Sequence, residues 1–497
     1  MSSSGFPQPN PENLETEPRQ LSRRLSSRQL TMIGIGGAIG TGLFLGSTLA
    51  ISHAGPGAII AYIACGLVAL VIAWALTEMV VVHPDAGAFG SIAHSYIGPW
   101  AGFVIRWAYF FGQVIAIGGE VIAAGIYLKY WWPGLPLWVP VVGFSLVVLG
   151  VNAAAVSSFG TLEYWLSMVK VTAIGVFVVL GMIMIFFGLP GHPTQGLSEL
   201  TAHGGFLPNG FGGLAMAMVF ALFSYIGTEV VSVTAAESKN PTKDIPKAAR
   251  QMILRLALFY VLAVVVIVSV VPWTVAAQGG TLQSSPFVKV FAAANIPAAA
   301  GIMNFVVITA ALSSANTNLY LTTRMMHSLA LHRFAPRWTG RLSRNGVPRN
   351  ALALSAVGMA VAAILSAQSH TQAYVVLFGI SVFAGIVVWI LILATHFAFR
   401  IRRRRLGLPA SPVRLMGAPV TSGLAVAFLA IVLLSTFVIP GLDPAWQFGI
   451  PFFILLLVVY RVLRARHLRG DARNLLADGH DRTRSVPPAT SRTPRST

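Results

Sequence analysis

Charge is scarce in this chain. Only 10% of its 497 residues are Asp, Glu, Lys or Arg, and just 15 are acidic, against about 25% charged in ordinary soluble domains. A chain this long with so little charge is not built to face water on all sides. Cysteine is nearly missing too: Cys65 stands alone, so no internal disulfide forms. An integral-membrane enzyme would need loop carboxylate pairs, His/Asp metal clusters or a nucleophile constellation, and none is visible. Nor is there a repeated selectivity-filter segment of the kind a channel carries. Alternating strands of about ten residues, the mark of a membrane β-barrel, are also absent. No metal site and no organic cofactor are expected.

What is abundant is apolar sequence. Hydrophobic residues make up 55% of the chain, and mean hydropathy is +0.74. Twelve apolar runs are read at 31–53, 56–81, 99–128, 138–157, 164–189, 211–234, 252–273, 299–326, 351–368, 373–398, 419–440 and 446–464. Crossing a bilayer takes about 20 apolar residues as a helix, so these predict an all-α polytopic membrane protein with 12 transmembrane helices. Membrane lipid is its surrounding partner. The first run is too long for a signal-peptide core and is expected to stay uncleaved.

The net charge of +19 would suit a nucleic-acid binder, but its placement argues against one. Basic residues gather in alternate loops. Lys239, Lys243, Lys247 and Arg250 follow the sixth run, Arg333, Arg337, Arg341, Arg344 and Arg349 the eighth, and Arg400 and Arg402 to Arg405 the tenth. Arg19, Arg23, Arg24 and Arg28 precede the first run, and further arginines follow the twelfth. Cytoplasmic loops carry such an excess, so both termini are expected in the cytoplasm. The expected parts are an N-tail (1–30), a core (31–398), two last helices (399–467) and a polar tail (468–497) without assigned fold.

Within the first run, five of the nine residues from Gly34 to Gly42 are glycine, each weakening a helix by up to about 1 kcal/mol. Unwound backbone at membrane depth survives only where protein covers it or it lines a cavity. Its cut ends expose N–H groups to an anion and carbonyls to a cation, which together suit a zwitterion. The N–H groups near Gly40, Thr41 and Gly42 would then take a carboxylate, and the carbonyl of Ala38 would face an amino group. Close helix packing by small residues is the other reading of the same glycines. Ile39-Gly40-Thr41 is echoed by Ile226-Gly227-Thr228 in the sixth run, which suggests two oppositely oriented repeats (about 31–189 and 211–398).

Ordered motifs extend this pattern. Gly36-Gly37-Ala38-Ile39-Gly40-Thr41-Gly42-Leu43-Phe44-Leu45-Gly46, Glu163-Tyr164-Trp165, Lys170, Pro208-Asn209-Gly210-Phe211-Gly212-Gly213, Ala235-Ala236-Glu237-Ser238-Lys239-Asn240-Pro241 and Thr309-Ala310-Ala311-Leu312-Ser313-Ser314 stand in series. The chain thereby resembles the amino acid permeases of the amino acid–polyamine–organocation superfamily, over about residues 20–465. The resemblance implies a five-plus-five inverted-repeat fold with two added C-terminal helices and proton-driven amino acid uptake.

It also implies roles. The sixth span would unwind near Ile226-Gly227, with carbonyls of Phe223 and Ile226 taking the substrate ammonium beside Ser224 and the Phe223 ring closing over it. Lys170 would supply its ammonium where sodium-coupled relatives bind a metal, with Ser313 and Ser314 as neighbours, so that a proton is the coupling ion. Snorkelling back to the cytoplasm is the plain alternative for Lys170. Glu120 and Glu229 sit deep in spans, where an acid costs about 2.5 kcal/mol or more unless partnered. Glu120 is a candidate for the substrate pocket, and Glu229 for holding the unwound segment. Glu78 and Arg106 fit either gating pairs or solvated charges. Exchange or sodium coupling remains the alternative to proton symport, and neutral amino acids are the favoured substrates.

Overall fold

The computed structural model describes residues 27–83, 88–153, 156–188, 194, 196–233, 240–277, 285–293, 297–343, 347–368, 372–439 and 441–484. The expected N-tail up to residue 26, the motif residues 235–239, Arg344 and the last 13 residues lie outside them. Among the described residues every regular element is a helix.

The first span is not one rod. It is divided into α1 (Ser27–Ala38), α2 (Thr41–Phe44) and α3 (Gly46–Ala54). A reversal follows at Gly55, whose φ of +57° suits a residue without Cβ, and Pro56 starts the next turn toward α4 (Ala58–Val80). Although Thr41–Val80 reads as a single apolar stretch of 40 residues, α3 and α4 lie back to back. A Cβ on Gly46 would meet the Phe220 carbonyl at 3.6 Å, while one on Gly66 would meet the Tyr225 hydroxyl at 2.9 Å. Twenty residues of straight helix would separate those points by about 30 Å.

The chain continues through α5 (Ala88–Tyr96), α6 (Pro99–Leu128), α7 (Trp138–Ala153) and α8 (Val156–Phe186). The sixth span is again broken, into α9 (Gly210–Tyr225) and α10 (Val230–Val233). Then come α11 (Pro241–Val270), α12 (Trp273–Ala277), α13 (Pro286–Ala293), α14 (Pro297–Leu331), α15 (Arg349–Ser355), α16 (Val357–Gln368), α17 (Gln372–Arg405), α18 (Val420–Ser435) and α19 (Asp443–Arg484). Each expected span has a helical counterpart. Several helices outrun their apolar runs: α11 begins at Pro241, α14 ends at Leu331 and α17 at Arg405, because charged residues leave the lipid without ending the helix.

Burial sorts centre from rim. Of the apolar window in α6, 83% is buried, against 17% in α19. The central helix α6 packs on α14 and α17, and α18 and α19 stand at the lipid-facing edge.

The two broken helices pack antiparallel along their length. A Cβ on Gly34 would lie 2.8 Å from Val231, and one on Gly42 2.8 Å from the Ser224 Cα. His53 stacks on Phe220 at 5.4 Å, and its carbonyl accepts from Asn209 Nδ2 at 2.9 Å. As residue numbers rise on one helix they fall on the other, so the two breaks meet.

Candidate substrate and coupling site

At the first break, α1 stops at Ala38, Gly40 is extended (φ −125°, ψ −154°), and α2 starts at Thr41. The Thr41 N–H, first of the orphan donors at that helix start, donates to Glu120 Oε2 at 3.1 Å. Ser314 Oγ donates to the other oxygen of Glu120 at 2.9 Å. Glu120 is 3% exposed. Its carboxylate therefore sits at the bare N-terminus where an anion is most stabilised.

The cut end of α1 faces donors instead. Lys170 Nζ reaches the carbonyls of Gly36 at 2.5 Å and Ile39 at 3.1 Å, and the Tyr260 hydroxyl donates to Ala38 O at 2.8 Å. Lys170 is fully buried and does not snorkel. One ammonium thus replaces the missing helical donors at the break.

At the second break, Ile226 is extended (ψ +131°), and Gly227 takes φ +110°, with a Cβ position 3.0 Å from the Gly37 carbonyl. Only glycine fits there without strain. Glu229 Oε2 accepts the Gly227 N–H at 3.0 Å and Trp389 Nε1 at 3.3 Å, while Gln113 Nε2 donates to Oε1 at 3.4 Å. Glu229 is thus spent on holding the unwound loop to α6 and α17. The Phe223 carbonyl caps the turn through the Ile226 N–H at 3.1 Å. Its ring lies 4.4 Å from that of Phe378, and Ser224 Oγ is bonded to the Tyr62 hydroxyl at 3.1 Å.

Between the breaks lies a narrow polar space of about 20 Å3, room for about one water, walled by the first-break glycines and Ala38, by Gln113 and Glu120, by Phe223 and Ile226, and by Ser314 and Asn318. A second space of about 10 Å3 adjoins it across Gln113 and Ile226, with Tyr109, Glu229 and Trp389 in its walls. Among the described residues no group of His, Cys, Asp and Glu is placed to hold a metal ion.

Lys170 has a partner that reading the sequence missed. Glu163, equally buried, lies 4.0 Å from Nζ. Ser313 Oγ donates to Glu163 Oε1, and Asn316 Nδ2 to Oε2 at 3.2 Å. Seven residues is about two turns, so Glu163 and Lys170 share one face of α8. That spacing was the available signal. The two serines divide: Ser313 meets the counter-ion of Lys170, while its neighbour Ser314, one helical step round α14, turns to Glu120.

The charges nearer the span ends are buried. Glu78 accepts from Arg400 Nε at 2.8 Å and Nη2 at 2.7 Å, from the Leu415 N–H at 2.8 Å, and lies 3.0 Å from His396. Arg106 donates to Gly102 O at 2.7 Å and to Ser328 Oγ at 3.1 Å. Neither is a solvated charge.

Two antiparallel broken helices around a shared polar space are the geometry to which known proteins can be compared. The sequence profile described as amino acid permease matches residues 29–469. The chain belongs to the amino acid permease family. Among its relatives is a probable threonine/serine transporter, YbxG, of Bacillus subtilis (strain 168), 37% identical over 446 residues covering 89% of this chain and 95% of that protein. A gamma-aminobutyric acid permease of the same organism is 36% identical over 453 residues, 91% and 96% of the two chains. The aromatic amino acid transport protein AroP of Escherichia coli O157:H7 is 37% identical over 433 residues, 86% and 93%. This permease is therefore a multi-pass membrane protein of the amino acid transport class, not an enzyme.

Proposed function

We propose that this permease imports neutral amino acids by proton symport, through alternating access of one central site. The site is the space between the two breaks. Residues 31–189 and 211–398 act as the two inverted repeats, and both termini face the cytoplasm of a cell bounded by the cytoplasmic membrane. The antiparallel crossing of the broken helices favours this arrangement, and the run of arginines ending α17 fits a cytoplasmic end. The relatives' names mention threonine, serine, aromatic amino acids and gamma-aminobutyric acid, all without net charge, which favours a neutral substrate.

The single observation carrying the coupling is Lys170 Nζ on the Gly36 and Ile39 carbonyls. A protonated Lys170 holds the end of α1 in place with two charge-assisted bonds. When the proton leaves, those bonds weaken and α1 is free to tilt. Glu163, Ser313 and Asn316 keep the ammonium paired while it is charged. Substrate carboxylate binds at Gly40, Thr41 and Gly42, displacing Glu120 from the Thr41 N–H. Substrate ammonium binds toward Ala38, Phe223 and Ile226, with Ile39, Ser224 and Gly227 shaping the seat. Glu229 keeps the second break open.

Uptake of a panel of labelled amino acids into proteoliposomes tests this reading. An inward proton gradient is expected to drive accumulation without sodium. Accumulation that ignores pH but follows sodium, or uptake seen only against amino acid trapped inside, replaces symport by sodium coupling or exchange.

A further inference from the structure

The C-terminal end of α17 and the connector to α18 line a third polar cavity, remote from the breaks. It has a volume of about 170 Å3 and is lined by Glu78, Arg400, Arg403, Arg404, Ser411 and Arg414, with Phe399 and Leu408 among its apolar walls. Glu78 is already committed to Arg400 and the Leu415 N–H. Among the described residues, no carboxylate pairs with Arg403, Arg404 or Arg414. The Arg403 guanidinium rests over the Phe399 ring, 5.3 Å from its centre, and donates to the Pro409 carbonyl. Its Nε is buried without a hydrogen-bond partner, although such a donor ordinarily finds one. Three guanidinium groups with no carboxylate partner among the described residues, one of them with a buried Nε left unbonded, make this cavity a seat for an anion.

The surroundings say which kind. Around the cavity, Ile401, Leu406, Leu408, Met416 and Val420 stand exposed, a costly arrangement in water but an ordinary one against acyl chains. We propose that this cavity binds the phosphate-bearing headgroup of an anionic phospholipid, with the acyl chains lying over that apolar apron. Guanidinium forks match phosphate oxygens bidentately, and basic pockets at the cytoplasmic ends of spans are suited to such headgroups. Through Arg400, which shares Glu78 with the cavity wall, the lipid would brace α17 against α4. A free phosphate would use the same guanidinium groups but not the apron.

The full-length protein is placed in nanodiscs of phosphatidylcholine with a minor fraction of phosphatidylglycerol, released into detergent, and its retained lipids are counted by native mass spectrometry. Wild type is expected to retain phosphatidylglycerol selectively. The combined variant Arg403→Gln/Arg404→Gln/Arg414→Gln is expected to lose about a hundredfold of that preference, since it removes all three guanidinium groups that face the headgroup. The exposed single variants Arg404→Gln and Arg414→Gln should each lose part of it, which keeps the test sound if the triple variant folds poorly. Arg337→Gln/Arg341→Gln, outside the cavity, should retain lipid as wild type does. Equal retention in all variants, no preference for phosphatidylglycerol in wild type, or displacement of the lipid by millimolar inorganic phosphate each overturns the proposal. The last result would assign the cavity to a soluble phosphate instead.

Discussion

Replace Lys170 by Met, Glu163 by Gln, and both together. The 4.0 Å separation of the two charges corresponds to an attraction of about 4 kcal/mol at an effective permittivity near 20. Removing either partner alone strands a buried charge, which typically costs about 3–5 kcal/mol. Lys170→Met also removes the bonds to the Gly36 and Ile39 carbonyls, a further loss of about 1.5–3 kcal/mol each for bonds to a charged donor. In the double variant neither member of this pair is left without the other. Its loss should fall short of the sum of the single losses by about 2–4 kcal/mol, a coupling expected of residues in contact. Unfolding in detergent, followed by tryptophan fluorescence, measures the stabilities. Uptake by the same proteins separates structure from coupling: the double variant should recover folding but not accumulation driven by a pH gradient. Strictly additive losses would show that Glu163 is not the counter-ion, and restored accumulation would remove Lys170 from the coupling step.

Other consequences follow from particular contacts. Thr41→Pro deletes the N–H that Glu120 accepts, at a first helical position where proline is otherwise tolerated. The protein should fold yet lose equilibrium binding of labelled amino acid, and near-normal affinity would mean that the first break serves packing alone. Gly227→Ala puts a methyl group 3.0 Å from the Gly37 carbonyl at φ +110°, so strain of about 1–3 kcal/mol should lower the thermal midpoint and slow uptake. Glu78→Gln leaves Arg400 without its carboxylate but with the Ala418 and Leu415 carbonyls, and should cost about 1–3 kcal/mol, read as the same midpoint; an unchanged midpoint would make the contact incidental.

Much of the architecture was legible because hydropathy reports what lipid demands. Every apolar run became a helix, and the glycine density around Gly40 marked the first break. The ends of helices were less legible, since α11 and α17 continue through charged turns that leave the bilayer. The short helices α5, α12 and α13 carry too few residues to impose a clear period. Within the site, Lys170 drew attention as a lone cation in an apolar run. Its partner Glu163 passed as one residue of a motif, because the two-turn spacing matters only once both are known to face inward. The contact between Glu120 and Thr41 joins residues 79 apart, a pairing that follows from how α6 packs against the first break and from nothing local.

The central claim is that a proton travels with each amino acid through a site held by Lys170. Currents from proteoliposomes adsorbed on a solid-supported membrane test it most directly. Adding a neutral amino acid without sodium should carry positive charge inward in wild type and none in Lys170→Met. A wild-type current that requires sodium, or substrate movement with no charge transfer at all, would contradict the account.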